Sequence, residues 1–211
     1  MSRRTAPNQP TADRIEILTR HGLAVAHLHR VEAPVGAVVL GHGAGGGVGA
    51  PDLVAVTRTA NAAGFAVVLV EQPYRAAGRK APPRAPVLDA AWQDVVAHLR
   101  YGVLADLPLV VGGRSAGARV ACRTAAATRA VGVLCLAFPT RPPGRPDAPS
   151  RLPELDGVGV PVLVVQGDRD PYGEPPPAPG RTVVTVPGDH SLKKDLSAVT
   201  AALRGWLGRL A

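Results

Sequence analysis

A serine lies between two glycines at Gly113-Arg114-Ser115-Ala116-Gly117. An apolar run precedes this segment and an alanine-rich stretch follows it, which predicts a strand, a sharp turn and a helix. Glycines let the chain bend tightly there and expose the hydroxyl of Ser115. A merely structural turn can have the same composition, but the strand–turn–helix context favours chemistry. We therefore predict Ser115 as a nucleophile, with the Ala116 amide facing the oxyanion that forms.

A serine nucleophile needs a base, and His190 is the candidate because it lies in a loop between the last predicted strand and the last predicted helix. The base needs an acid that orients it, and two aspartates follow Gln166-Gly167. Asp170 is further into the loop and better able to reach His190, so we favour it. Asp168 is then predicted to form the turn or to support the site from behind.

A second glycine-rich segment, 41–47, follows the first buried strand. Its amides are suited to stabilise an oxyanion, with Ala44 N–H as the first choice of donor and Gly45 N–H as the second. His42 is predicted to orient this loop rather than to carry protons. His42, Gly45, Tyr74 and Arg75 are also candidate substrate contacts, and Arg75 or Arg79 could bind a substrate carboxylate.

The same loop permits another interpretation, because Gly41, Gly43 and Gly46 match the G-x-G-x-x-G pattern of dinucleotide-binding folds. Glu71, at the end of the next strand, would then bind a ribose. Against this, the following helix is predicted to start at Pro51, so Gly46 does not open it. The dinucleotide interpretation also leaves the serine, aspartate and histidine unexplained.

The elements that must position these residues are visible as alternating apolar runs and helical periodicities. An antiparallel pair at an edge of the sheet is predicted over 14–20 and 24–31. Buried strands and amphipathic helices follow, which indicates an α/β fold with a mostly parallel sheet and helices on both faces. Proline-rich loops at 72–86, 139–153 and 171–180 follow strands and should gather at the carboxyl edge of the sheet. We expect one domain over 13–211 after a flexible tail at 1–12. The predicted buried strands are 37–40, 65–70, 107–111, 131–136, 160–165 and 182–186.

Composition and charge argue against several other classes of function. The chain has 211 residues, 46% of them hydrophobic, and a formal net charge of +8. Its arginines are scattered and aromatics make up 3%, which argues against nucleic-acid binding. No apolar run approaches the roughly 20 residues of a membrane span, and no signal-like segment starts the chain, so we expect a cytoplasmic protein. Cys122 and Cys135 are predicted to be buried, reduced thiols.

Taken together, these motifs resemble small, cap-less α/β-hydrolases related to dienelactone hydrolase, in a branch that includes predicted bacterial hydrolases and testis-expressed and chromatin-complex proteins of animals. The resemblance extends from about residue 13 to the end. It implies the α/β-hydrolase fold without a cap domain and a Ser115–Asp170–His190 triad. The motifs that carry it are His-Gly-Ala-Gly-Gly (42–46), Pro-Tyr-Arg (73–75), Ala-Gly-Arg (77–79), Gly-Gly-Arg-Ser-Ala-Gly (112–117), Gln-Gly-Asp-Arg-Asp-Pro-Tyr-Gly (166–173) and Gly-Asp-His-Ser (188–191).

This resemblance leaves two functions open. The first is a serine hydrolase that cleaves an ester or related bond of a small acyl substrate, with no metal or organic cofactor. The second is a non-catalytic interaction module, because some animal relatives act within complexes. True dienelactone hydrolases have a cysteine where Ser115 stands, so the dienelactone reaction itself is not implied.

Overall fold

The computed structural model describes residues 12–145 and 147–210, so of the predicted tail at 1–12 only Ala12 lies within the described part. The strands are β1 (Asp13–Thr19), β2 (Gly22–His29), β3 (Gly36–Gly41), β4 (Phe65–Glu71), β5 (Leu109–Arg114), β6 (Gly132–Leu136), β7 (Val162–Gly167) and β8 (Arg181–Val186). The helices are α1 (Pro51–Ala62), α2 (Pro73–Ala76), α3 (Ala85–Tyr101), α4 (Ala116–Thr124), α5 (Leu152–Asp156) and α6 (Leu196–Leu207).

All eight strands belong to one sheet, in the order β1-β2-β4-β3-β5-β6-β7-β8. From β4 to β8 each strand is parallel to its neighbour, whereas β1 pairs antiparallel with β2 and β2 antiparallel with β4. This confirms the predicted mostly parallel sheet with an antiparallel N-terminal edge.

The apolar runs become central strands because both faces of the sheet are covered. In β3, Val38 and Leu40 face one cluster of buried side chains, and Ala37 and Val39 face the other. Helices α1 and α6 supply the first cluster, while α3, α4 and α5 supply the second. The apolar faces predicted for the helices, such as Trp92 with its neighbours on α3, are buried.

The order of the strands reverses next to β3. The chain passes from β3 through α1 to β4 on one side, then returns through α3 to β5 on the other side. The loops that follow β3 and β5 therefore lead to helices on opposite faces and leave a crevice at the carboxyl edge. Open α/β sheets bind their ligands at such a point.

Some local expectations were wrong. The 72–86 loop contains the short helix α2, and α3 begins at its end. The strand predicted at 107–111 begins at Leu109 and continues to Arg114. The spacing of Leu192 continues the apolar periodicity of the last helix, but this residue precedes α6 and has a φ of 52°. Strand β2 lies one position in from the edge, because it pairs on both sides, and its His27 and His29 are half-buried.

Candidate active site

Ser115 is the single residue between β5 and α4. Its φ is 53° and its ψ is −106°, a strained conformation for a residue other than glycine, which costs about 1–3 kcal/mol. Backbone hydrogen bonds of both its N–H and its carbonyl hold Ser115 in that conformation. Ser115 N–H donates to the carbonyl of Leu136 at 2.9 Å, and the Ser115 carbonyl accepts from Arg119 N–H at 3.2 Å. The strain turns the side chain out of the strand and toward the crevice at the carboxyl edge.

The glycines on either side of Ser115 are required by close packing against the end of β3. A Cβ atom on Gly113 would lie 2.4 Å from the carbonyl oxygen of Gly41, and one on Gly117 would lie at the same distance from that oxygen. Since real Cβ atoms essentially never approach a backbone atom so closely, any side chain at either position would push the Ser115 turn away from the Gly41 loop.

Three side chains from separate loops form one hydrogen-bonded chain. Ser115 Oγ lies 2.8 Å from His190 Nε2, and His190 Nδ1 lies 2.8 Å from Asp170 Oδ2. The Asp170 side chain is completely buried. An ionised carboxylate can only accept, so Nδ1 donates to Asp170 and Nε2 is left to accept from the serine hydroxyl. This tautomer is the one that a base for Ser115 needs.

The carboxylate of Asp170 is itself held by two donors. Gln166 Nε2 donates to Oδ2 at 2.7 Å, and the backbone N–H of Tyr172 donates to Oδ1 at 2.9 Å. The Tyr172 ring also stacks on the imidazole of His190, with centroids 4.2 Å apart. Sequence reasoning missed both residues. Gln166 does carry a signal, since it is a polar residue at the end of an otherwise apolar strand.

Asp168 does not contact the imidazole. Its Oδ1 accepts a hydrogen bond from Gly188 N–H at 2.7 Å, which ties the loop after β7 to the loop that carries His190. The two loops also touch through Gly167, where a Cβ would lie 2.6 Å from the carbonyl oxygens of Gly188 and Asp189. Asp168 thus stabilises a turn. Its contact with Gly188 helps hold the loop that carries His190 against the loop after β7.

The loop after β3 lies beside Ser115. His42 is buried; its Nδ1 donates to the Gly43 carbonyl at 2.8 Å, and its Nε2 accepts from Gln72 N–H at 3.2 Å. Burial lowers the pKa of His42, which keeps the ring neutral and able to accept. Both ring nitrogens are used by backbone groups, so neither is free for a substrate. His42 therefore orients the loop and is removed from the candidate substrate contacts.

Tyr74 is also mainly structural. It is buried, and its hydroxyl donates to the Ala44 carbonyl at 3.1 Å, which fixes the orientation of the loop. Within the described residues, the amides of Ala44 and Ala116 have no hydrogen-bond acceptor. Gly45 is exposed at the tip of the same loop. Arg75 is half-buried, and its guanidinium reaches the carbonyl of Arg79 at 3.5 Å.

The dinucleotide interpretation fits this loop poorly. The helix after it begins at Pro51, as predicted, so Gly46 lies outside that helix and donates instead to the Gly43 carbonyl at 3.1 Å. Glu71 is engaged by His27 Nε2 at 2.7 Å. A ribose would therefore have to displace an existing contact of Glu71.

The two cysteines lie away from this chemistry. Cys122 and Cys135 are buried free thiols, as predicted, with their sulfur atoms 3.5 Å apart. The hydrogen bond between them and their burial raise the pKa of Cys135, which disfavours a thiolate. Among the described residues, no group of three His, Cys, Asp or Glu side chains could hold a metal ion.

Comparison with known proteins supplies the family. A family model described as "Alpha/beta hydrolase domain" matches residues 34–200. The chain is an α/β-hydrolase. No curated protein matches it by sequence. In the part of the chain that the structure describes, no helix of this α/β-hydrolase is long and apolar enough to cross a membrane.

Solved structures share the fold of this α/β-hydrolase at low identity. Est1E from Butyrivibrio proteoclasticus is 17% identical, with a TM-score of 0.73 over 93% of this chain and 98% of its own. XC6422 from Xanthomonas campestris, described as a serine hydrolase without a lid, is 19% identical, with a TM-score of 0.69 over 96% and 98%. Dienelactone hydrolase from Anabaena variabilis is 19% identical, with a TM-score of 0.72 over 96% and 99%.

Proposed function

We propose that this protein is a serine hydrolase that cleaves an ester or related acyl bond through Ser115, His190 and Asp170. One observation carries the proposal: the continuous hydrogen-bonded chain from Ser115 Oγ through the imidazole of His190 to the buried Asp170, with 2.8 Å at each step. The strained backbone of Ser115 adds support, because such strain is common at reacting groups.

In this mechanism His190 Nε2 takes the proton of the Ser115 hydroxyl as its oxygen attacks the acyl carbonyl. The imidazole then carries a positive charge, which the Asp170 carboxylate stabilises through Nδ1–H. Collapse of the tetrahedral intermediate releases the alcohol, which His190 protonates from Nε2. Water then attacks the acyl-enzyme with His190 again as base, and free Ser115 and a carboxylic acid result.

The oxyanion of the tetrahedral intermediate would accept from the amides of Ala116 and Ala44. The Ala116 N–H opens helix α4, where the helix dipole also favours negative charge. The peptide that carries the Ala44 N–H is oriented by His42, whose Nδ1 donates to the Gly43 carbonyl of that same peptide. Donors that are already oriented stabilise developing charge without reorganisation, and loss of one typically costs about 10²–10³-fold in rate.

The substrate class rests on the structural neighbours and on the short connection between β6 and β7. The structural neighbours include a dienelactone hydrolase and a serine hydrolase described as lacking a lid, and Est1E has been solved with ferulic acid bound. In the described residues, the helix between β6 and β7 is α5, which has five residues. We propose small acyl esters that enter from the carboxyl edge of the sheet, and a panel of chromogenic esters of increasing acyl length tests this class.

A fluorophosphonate probe tests the proposed chemistry directly, because it reacts with activated serines. We expect labelling of the wild type, none in Ser115→Ala, and strongly reduced labelling in His190→Ala. Ser197→Ala is the matched control, since Ser197 is an exposed serine on α6, and it should label like the wild type. Folded wild-type protein that neither labels nor cleaves any ester would instead favour a non-catalytic interaction module.

A further inference from the structure

Arg114, the residue between Gly113 and the nucleophile, is a long cation with restricted exposure. It lies at the end of β5, and its side chain is 17% exposed. The proposed mechanism assigns it no step. A half-buried guanidinium must be compensated by its surroundings, and its contacts therefore show what it holds in place.

The first contact of Arg114 is to the loop of the base. Its Nη2 donates to the backbone carbonyl of His190 at 2.8 Å, across 76 residues of sequence. This bond fixes the peptide plane from which the imidazole projects. The remainder of that loop is held from the other side by Asp168, through Gly188 N–H.

The second contact is to a buried carboxylate. Arg114 Nε lies 3.0 Å from Oδ2 of Asp52, whose side chain is completely buried. Oδ1 of the same carboxylate accepts from Leu53 N–H at 3.0 Å, in the first turn of α1. Burial raises the pKa of Asp52 and the Arg114 charge opposes that shift, so the two groups depend on each other.

The third contact is to the glycine-rich loop. A Cβ atom on Gly43 would lie 3.0 Å from Arg114 Nη1, so the guanidinium occupies the space beside that glycine. One planar group thus contacts the segments that carry the oxyanion donor Ala44 and the base His190, and it is covalently next to the nucleophile. A lysine ammonium, as a single point charge, cannot make these contacts at the same time.

We propose that Arg114, held by Asp52, is a positioning residue that fixes the His190 loop and the glycine-rich loop relative to Ser115. The proposal rests on the serine hydrolase function proposed above. Because a small displacement of reacting groups can cost about 10²-fold in rate, loss of this residue should act on turnover rather than on substrate binding.

The test compares Arg114→Gln with Arg123→Gln. Arg123 is a matched control because it is 19% exposed and pairs with Asp89 at 2.6 Å, but the structure gives it no contact with His190. With an ester that the wild type cleaves, we expect Arg114→Gln to lower kcat about 10–100-fold, with KM within about twofold. Probe labelling should slow in parallel, while Arg123→Gln keeps both rates despite a similar loss of stability in urea. Arg114→Lys should remain closer to Arg114→Gln than to the wild type.

Failure of the positioning role can be distinguished from failure of the proposed hydrolase function. If the wild type labels and Arg114→Gln labels and turns over at the wild-type rate, the positioning role is overturned and the proposed function stands. If the folded wild type does not label, the proposed function fails, and proton NMR of the hydrogen-bonded Nδ1 proton of His190 decides the positioning role. That signal, identified by its absence in His190→Ala, should broaden or vanish in Arg114→Gln but persist in Arg123→Gln; an unchanged signal in Arg114→Gln overturns the inference.

Discussion

At the scale of single residues, the geometry of the candidate site depends on the buried carboxylate of Asp170. Asp170 accepts from Gln166, Tyr172 and His190 together, so its negative charge is distributed over three donors. These hydrogen bonds hold the geometry of the carboxylate constant. The imidazole is in turn placed between that carboxylate and the ring of Tyr172.

Asparagine substitutions distinguish the roles of the two aspartates in the loop after β7. Asp170→Asn should lower kcat/KM about 10³–10⁴-fold, because an amide can hold the imidazole in the wrong tautomer. Asp168→Asn keeps an acceptor for Gly188 N–H and should cost less than about tenfold, since only a surface hydrogen bond weakens. Steady-state kinetics of both folded variants measures the difference, and equal, mild losses would contradict the assignment of Asp170.

Gln166 provides a second prediction at this scale. Gln166→Met keeps the volume but removes the donor to Asp170 and to the Gly173 carbonyl. Each lost hydrogen bond should lower the free energy of unfolding by about 1 kcal/mol. We expect kcat to fall about tenfold, as Asp170 gains freedom to move. Urea denaturation and ester kinetics check the two effects, and wild-type kcat in a destabilised variant would argue against a positioning role.

Some residues of the site can be predicted from the sequence because their signal is local. Ser115, Asp170 and His190 stand out because reactive side chains follow apolar strands at the carboxyl edge. Tyr172 could not be found in this way, because its role is to stack on an imidazole from another loop. Arg114 was visible only as the variable position of a motif, since its partners Asp52 and His190 are far from it in sequence.

At the scale of elements, the site is built where the strand order reverses. The ends of β3 and β5 are in direct backbone contact there, through Gly41 on one side and Gly113 and Gly117 on the other. The sequence predicted the parallel sheet, since buried strands are continuous apolar runs. It could not place β2 in the interior of the sheet, because partners across a sheet leave no local pattern.

Two glycines in helices test the contact between β3 and α4. Gly117→Ala would place a Cβ 2.4 Å from the Gly41 carbonyl oxygen and should destabilise the fold by about 3 kcal/mol. Gly205→Ala on α6, where a Cβ meets nothing within 4 Å, should instead stabilise it by about 0.5–1 kcal/mol. Chemical denaturation measures both, and similar effects of the two substitutions would show that the contact at Gly41 does not restrict α4.

At the scale of the whole molecule, a buried neutral histidine couples stability to pH. Burial lowers the pKa of His42 in the folded state, whereas the unfolded chain has the ordinary value of about 6.5. The unfolded state therefore binds the proton more readily. The contribution of His42 to stability is complete above about pH 6.5 and is lost as the pH falls below it, by up to about 1.4 kcal/mol per unit.

Urea denaturation between pH 7.5 and 5.5 tests this coupling. The free energy of unfolding of the wild type should fall toward pH 5.5, and His42→Gln should remove a large part of the slope. His98→Gln is the control, because His98 is exposed on α3, and it should keep the wild-type slope. His29, whose pKa is also lowered by burial, should contribute to the slope that persists in His42→Gln. An unchanged slope in His42→Gln would show that the ring does not couple folding to protonation.

The hydrogen bond between Ser115 and His190 joins residues that are 75 positions apart in the chain. Local helices can form early during folding, but contacts of this sequence separation are entropically costly and arise late. Recovery of probe labelling after dilution from urea should therefore lag behind recovery of the far-ultraviolet circular dichroism signal. The labelling of Ser115 would then report the rate at which β7, β8 and their loops dock onto the rest of the sheet.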